Sequence, residues 1–411
     1  MVKKEYDVVI VGGGPGGSST ALFLAKNGVK NVLLVDKAKF PRDKICGDAF
    51  SGKSLGMARE LGIVGDIEKV QNEVVYGVLF SSPKGTIVSI PFPGADKERK
   101  TKPGYCIKRV VGDNVIFQNA KKAVDTIEEF TAMDLLREND FVVGIRGKAK
   151  SGEEMEIRSK VVVGADGTSS VIAQKVGAAQ ALPEHQVIAT RGYYSGVTGM
   201  TGNIELHFID EIMPGYFWIF PLANGLANVG LGILTSEKQK RKMDLKKLQE
   251  NVIAAHPLFK ERFANAKIDE QGIKVWTLPL GSTHRKNHGN GWMLVGDAAS
   301  LIDPFSGEGV GNAMTSGKMA AKHIARALSE KNFSGQNFAA YDKELWDMIG
   351  PELATSYNLQ KLGKVKFLLN IVIDKAATKP KVREAISGML SNEEAKTQLI
   401  SPLGLIKLML S

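Results

Sequence analysis

The feature that most constrains this chain is a run of glycines set directly after a short apolar segment. Residues 8–11 (VVIV) lead into Gly12-Gly13-Gly14-Pro15-Gly16-Gly17, and a helical pattern follows over 18–27, closed by Gly28. A second apolar segment, 31–35, ends at Asp36. Strand, tight turn, helix, strand and terminal acid make one β-turn-α-β unit, the opening of an α/β fold. The spacing is G-x-G-x-x-G. Gly12 permits the turn, Gly14 lets the backbone approach a pyrophosphate, and Gly17 lets helix and strand pack closely. The helix N-terminus that follows Pro15 and Gly16 offers free N–H groups and a partial positive charge to phosphates. Asp36, 19 residues after Gly17, stands where ribose hydroxyls are bound.

Two later stretches repeat the device of an apolar strand ending in a glycine turn. Val161-Val162-Val163-Gly164-Ala165-Asp166-Gly167 delivers an Asp-Gly turn. Met293-Leu294-Val295-Gly296-Asp297 delivers a Gly-Asp pair. Pro304, Gly307 and Gly309 then precede a long helical pattern from Val310 to about 329. This second helix start suits an anion or the carbonyl edge of a planar ring. In this order, the three motifs resemble the flavoprotein monooxygenase superfamily typified by p-hydroxybenzoate hydroxylase, over residues 5–330. The resemblance implies FAD as cofactor. It implies that Asp297 bonds the ribitol or ribose region and that the Asp166 turn supports FAD. It also implies an FAD contact from Arg109, which Asp113 follows. The superfamily's acid at the Asp36 position is usually Glu.

Two further stretches resemble one branch, the geranylgeranyl reductase family of FAD-dependent oxidoreductases. They are Phe40-Pro41-Arg42-Asp43-Lys44-Ile45-Cys46-Gly47, and Tyr216-Phe217-Trp218-Ile219-Phe220-Pro221 with Asn228-Val229-Gly230-Leu231-Gly232. The implied activity is reduction of isolated C=C bonds on an apolar isoprenoid-type substrate, by hydride from reduced flavin in an apolar tunnel. The implied cofactor-binding set gains Lys37, Arg42, Cys46 and Gly47, and Cys46 falls at the active site. The residues themselves carry part of this reading. Tyr216, Trp218 and Phe220 alternate, so all three face one side of a strand, as cavity lining or as sheet core. Cys46 is either an inert small hydrophobe or a thiol activated by Arg42 and Lys44. The candidate catalytic residues are therefore Cys46, Tyr216 and Trp218. Nothing pairs Cys46 with Cys106. The rival is a flavin-dependent monooxygenase or halogenase acting on an aromatic or polyketide substrate. Halogenases carry W-x-W-x-I-P here, whereas this chain has Tyr216 and Phe220. With a single G-x-G-x-x-G, the electron donor is either NADPH docking transiently or a ferredoxin-type carrier.

The expected fold is α/β. A Rossmann-like FAD-binding domain of the p-hydroxybenzoate hydroxylase type (1–73, 100–185 and 280–330) is interleaved with an antiparallel β-sheet substrate domain (74–99 and 186–279). A helical C-terminal region, 331–411, follows. Strand-like alternation runs over 74–90, 193–201, 204–209 and 226–234, and 241–263 reads as an amphipathic helix. The six histidines, at 185, 207, 256, 284, 288 and 323, show no partner and no metal spacing. Two cysteines in 411 residues suit a reducing, cytoplasmic compartment, and no apolar run of spanning length is present. The 54 Lys+Arg exceed the 44 Asp+Glu by ten. Seven of these cations against one acid lie in 361–383, around the apolar run 367–373, and more apolar residues crowd 403–410. That composition suits peripheral contact with the inner face of a membrane, or a helical cap with a solvated lysine face. No nucleic-acid motif accompanies the charge. Oligomeric state is not legible.

Overall fold

The structure, a computed structural model, describes residues 5–98, 104–179 and 182–389. Glu5–Val11 lies near the middle of an eight-stranded sheet. The strand order across it is His288–Gly289, Trp292–Leu294, Glu154–Gly164, Glu5–Val11, Val32–Val35, Asp125–Ile127. The last five run parallel. Phe141–Ala149 and Phe130–Glu138 continue it as an antiparallel extension from Glu154–Gly164. Val8, Val9, Ile10 and Val161 to Val163 are fully buried, which is why these strands read as unbroken apolar runs.

The helix Pro15–Lys26 starts from the glycine loop and packs against both Arg109–Ala123 and Val310–Glu330. Backbone approach at the loop is extreme. A Cβ on Gly17 would fall 1.8 Å from the Gly12 carbonyl oxygen, and Gly12 itself has φ +107° with Ala165 O 2.3 Å from its own Cβ position. Both sites exclude a side chain. The helix begins three residues before the expected start at 18, and its C-terminal end follows the sequence reading, with Gly28 at φ +82° just beyond the cap.

A second sheet runs in the order Lys267–Ile268, Gln186–Ser195, Leu226–Leu234, Tyr216–Leu222, Ile204–His207, Gly77–Ser81, Ile87–Pro91, with Lys274–Pro279 also paired to Gln186–Ser195. It is antiparallel except where Ile204–His207 meets Gly77–Ser81. Alternation in Tyr216–Leu222 sorts the side chains. Tyr216, Trp218, Phe220 and Leu222 share one apolar cluster. Phe217 and Ile219 join another, with Leu245 and Val252 of the helix Leu245–Ala255. A small third sheet joins Ala49–Phe50, Gly104–Cys106 and Glu73–Val75.

Other element boundaries also differ from the pattern. The helix expected over 241–263 is Leu245–Ala255, because His256, preceding Pro257, turns extended at ψ 132°. The strand expected over 193–201 is Gln186–Ser195, ended by Gly196 at φ +76°. The C-terminal helices are Gly335–Leu362, Lys366–Thr378 and Pro380–Met389. Within the run 367–373, Ile373 is buried with Ala376 and Val382 against Val88 and Ile90, and Leu369 and Val372 pack beside them. Phe367 stands 69% exposed. The apolar stretch 403–410 lies outside the described residues. Among the described residues no helix is long and apolar enough to cross a membrane.

Candidate active site

The two long helices that begin at glycine turns bring the first group of expected residues together. Gly14 caps Pro15–Lys26 and Gly309 caps Val310–Glu330, and neither supplies a side-chain cap. Pro15 and Gly16 open the first helix, and Gly16 packs on Val295 and Ala313, so the strand that ends at Gly296-Asp297 joins the two helix starts. Unlike Gly12 and Gly17, Gly14 is open: the single atom near its Cβ position is Arg42 Nη2, at 3.3 Å. Open backbone, uncapped N–H groups and an overhanging guanidinium make a cradle with room for a pyrophosphate, which fits a dinucleotide cofactor.

Asp36 ends its strand buried beneath this loop. Its Oδ2 accepts from Gly13 N at 2.7 Å and its Oδ1 from Ala38 N at 2.8 Å. Arg42 reaches across to Asp113 at 3.2 Å and to Asp36 at 3.9 Å. Arg109 and Asp113 are joined by two bonds, 2.5 and 2.9 Å, along one turn of their helix. Burial works against the charge of both. The Arg109 guanidinium nevertheless holds Asp113 below the usual carboxylate range, and Asp113 with the nearby Cys46 side chain holds the Arg109 proton tightly. Lys37 stands exposed and makes no hydrogen bond or ion pair with this group among the described residues.

At the other helix start, Asp297 Oδ2 pairs with Lys44 Nζ at 2.7 Å, while its Oδ1 lies 3.7 Å from the Cβ position of Gly309. The turn before Val310 is built by Asp303. Its Oδ1 accepts from Phe305 N, Ser306 N and Ser306 Oγ, and its Oδ2 from Ser356 Oγ at 2.5 Å. Pro304 O is held by Gln360 at 2.8 Å. Gly307 takes φ +74° and faces the Tyr216 hydroxyl, which donates to Ser306 O at 3.1 Å. Burial pushes the Tyr216 phenol well above its ordinary range, so it stays protonated.

The aromatic face of the second sheet closes over these turns. Tyr216, Trp218 and Phe220 follow one another with ring centroids 6.2 and 6.3 Å apart. Phe220 Cε2 sits 2.8 Å from the Cβ position of Gly47, so only glycine fits beneath that ring. Cys46, half-buried and unoxidised, lies beside Arg109. The structure thus gathers Cys46, Gly47, Arg109, Tyr216 and Trp218 around the 303–307 turn and Asp297.

Asp166 has its carboxylate engaged within its own turn. Its oxygens accept from Ser170 Oγ (2.5 Å), Val171 N (2.6 Å) and Ile172 N (3.2 Å). The carboxylate is engaged in capping the short helix Val171–Lys175, so its support of the loop is through the backbone of its turn.

Pattern reading assigned no site role to four participants, although Lys44 and Asn228 lie inside the quoted motifs. Asp48 is fully buried at φ +69°, and burial raises its carboxyl to about 6. Asn228 bonds Asp48, Cys46 O and Trp218. Lys44 pairs with Asp297. Arg191, 1% exposed, pairs with Asp43 at 2.5 Å and lies over the Tyr193 ring. Asn228 carried a readable signal: it is the one polar side chain in the apolar strand Leu226–Leu234. Several histidines also have partners that spacing could not show. His207 bonds Ser81 and Glu205, His284 bonds Asp342 and His323 bonds Glu344.

Residues 5–345 match the family described as FAD binding domain. The chain is 31% identical over 358 residues to digeranylgeranylglycerophospholipid reductase 1 of Methanococcoides burtonii, covering 86% of this chain and 83% of that protein. It is 32% identical over 349 residues to the digeranylgeranylglycerophospholipid reductase of Methanosarcina acetivorans, covering 84% and 81%. Among solved structures it is similar to a geranylgeranyl bacteriochlorophyll reductase-like protein of Thermoplasma acidophilum, with TM-score 0.83, 25% identity and coverage of 96% and 98%. A flavin-dependent brominase shares the fold at TM-score 0.78 and 24% identity, covering 98% and 97%.

Proposed function

Because the chain belongs to the FAD binding domain family, and within it to the digeranylgeranylglycerophospholipid reductases, we propose that it saturates C=C bonds in the isoprenoid chains of a membrane phospholipid. The observation that carries this reading is the aromatic face of Tyr216, Trp218 and Phe220 laid over the Cys46 and 303–307 turns. An apolar wall against a charged cofactor cradle suits a substrate with no polar group at its reacting carbons.

The uncapped amides after Gly14, with Arg42 above them, would hold the FAD pyrophosphate; Asp36 and Asp297 would serve its sugar and ribitol; the Gly307 to Val310 turn would meet the ring edge. When bound, FAD supplies the hydride equivalent that an alkene accepts. The chain's own work is positional. Trp218 and Phe220 exclude water and orient the chain. A proton must reach the second alkene carbon, and Cys46 and the protonated Tyr216 hydroxyl are candidate donors for it. NADPH or a ferredoxin-type carrier would supply the electrons.

Membrane contact belongs to the same proposal. Val365 and Phe367 stand exposed beside Lys361 and Lys364, which suits apolar insertion with cations against anionic headgroups. The test is anaerobic turnover of a digeranylgeranyl phospholipid by dithionite-reduced holoprotein, read by mass spectrometry. Addition of two hydrogens per bond is expected. No saturation under these conditions, with an oxygenated or halogenated product once O₂ is admitted, would overturn it.

A further inference from the structure

We propose that Asn228 and Asp48 form a positioning clasp that sets the Trp218 indole against the Cys46 turn, and thereby fixes where the reacting carbons rest. The last clause depends on the reductase reading; the clasp itself does not.

Asn228 sits mid-strand, in register with Phe220 on one side and Tyr193 on the other. Its side chain is fully buried. Nδ2 donates to Cys46 O at 2.7 Å and to Asp48 Oδ2 at 2.8 Å, and Oδ1 accepts from Trp218 Nε1 at 2.9 Å. The amide has one workable orientation, because an indole N–H is a donor only and the two other partners are acceptors only when Asp48 is ionised. The remaining Asp48 oxygen accepts from Arg109 N at 3.0 Å, which ties in the start of the Arg109–Ala123 helix.

Three segments remote in sequence, the 46–48 turn, the Arg109 helix start and the hairpin of Trp218 and Asn228, therefore meet at one amide and one carboxylate. An apolar residue would fill the same space without needing partners. What the amide adds is direction, as satisfied buried polar networks do. General adhesion between these layers has other sources, in Arg191–Asp43 and Tyr216–Ser306. The clasp is distinct in holding an aromatic ring of the substrate face and the backbone carbonyl of Cys46 in one network.

Asp48 is faced by Arg191 and Tyr193 from Gln186–Ser195, by Arg109 from its helix, by Cys106 from Gly104–Cys106, and by Asn228. Its protonation changes what Asn228 can bond, so the indole environment should follow it.

The experiment is ¹⁹F NMR of 5-fluorotryptophan-labelled holoprotein, with Trp218→Phe assigning the resonance. The Trp218 signal of the unmodified protein should titrate with a midpoint near 6, and the other three tryptophans should not follow. In Asp48→Asn the titration should vanish. A Trp218 signal that stays fixed between about pH 5 and 8, or that still titrates in Asp48→Asn, would overturn the clasp. Turnover of the digeranylgeranyl phospholipid gives the second readout. Asn228→Ala should lower kcat by about tenfold or more with FAD affinity unchanged, and an unchanged kcat refutes its positioning role. If the unmodified protein saturates no alkene, the reductase reading fails while the NMR result still decides the clasp.

Discussion

Gly14 and Gly17 lie three residues apart in one loop, yet alanine at each should act on a different property. A methyl on Gly17 would meet the Gly12 carbonyl oxygen at 1.8 Å and the Ala165 Cβ at 3.2 Å. Both obstacles are short and tied to backbone, so helix or strand must move. Overpacking of this kind costs about 1–3 kcal/mol, and backbone obstacles put it at the upper end. With an unfolding entropy of about 2 cal/mol/K per residue, a loss of about 3 kcal/mol lowers Tm by about 4 °C in a chain of this length. Gly14 has φ −69° and ψ −175°, a conformation open to alanine, with Arg42 Nη2 at 3.3 Å as its neighbour. Gly14→Ala should melt within about 1 °C of the unmodified protein. Its methyl, however, would stand where the proposed cradle receives the pyrophosphate. Losing two charge-assisted hydrogen bonds removes about 3 kcal/mol or more, about a hundredfold in FAD affinity. Differential scanning fluorimetry of the apoprotein and fluorescence titration with FAD read the two quantities separately. Gly14→Ala binding FAD with full affinity would refute the cradle, and Gly17→Ala melting unchanged would refute the packing argument.

Other outcomes follow from the charged groups and the C-terminal helices. The Asp48 carboxyl titrates near 6 when folded and near 3.8 when exposed, so the folded state binds the extra proton between those values. Stability relative to Asp48→Asn should therefore fall as pH rises from about 4 to 7, by about 3 kcal/mol, read by urea melts; a flat difference refutes the burial argument. Glu205 is buried between His207, at 2.9 Å, and the Arg262 guanidinium, whose two bonds are 2.6 and 2.8 Å, and these partners hold it below its usual range. Glu205→Gln should cost about 2–4 kcal/mol in chemical denaturation while leaving the flavin spectrum unchanged. Phe367→Glu should leave Tm unchanged, since the ring is 69% exposed, but reduce sedimentation with anionic lipid vesicles several-fold; equal sedimentation would remove that ring from the contact.

The glycine loop, Asp36 and the alternating aromatic face were legible because each depends on residues within one turn or strand. Chain geometry alone dictates that Tyr216, Trp218 and Phe220 share a side. Asp48, Lys44 and Asp303 were not legible in that way. Asp48 meets Asn228 and Lys44 meets Asp297 across 180 and 253 residues, and no local rule records such distances. Asp166 shows the converse: its motif is local and visible, but its oxygens are taken by the helix that the same motif starts. The break at Pro257 was visible as a residue and overridden by the charge and apolar periodicity around it.

Tyr216 packs at once with the apolar groups beneath the sheet's aromatic face and with those beneath the C-terminal helices. That shared ring bears on traffic as much as on chemistry. Drawing about twenty carbons of isoprenoid through water would cost about 0.8 kcal/mol for each methylene, well above 10 kcal/mol in all. Desorption on that scale would dominate any turnover clock. On the proposed reading, the apolar groups that Tyr216 joins, from the outer helices to the aromatic face, would let a tail change solvent from bilayer to protein without wetting. The bilayer would then be the reservoir against which affinity is set, and substrate supply would track its surface density in the membrane rather than its concentration in bulk.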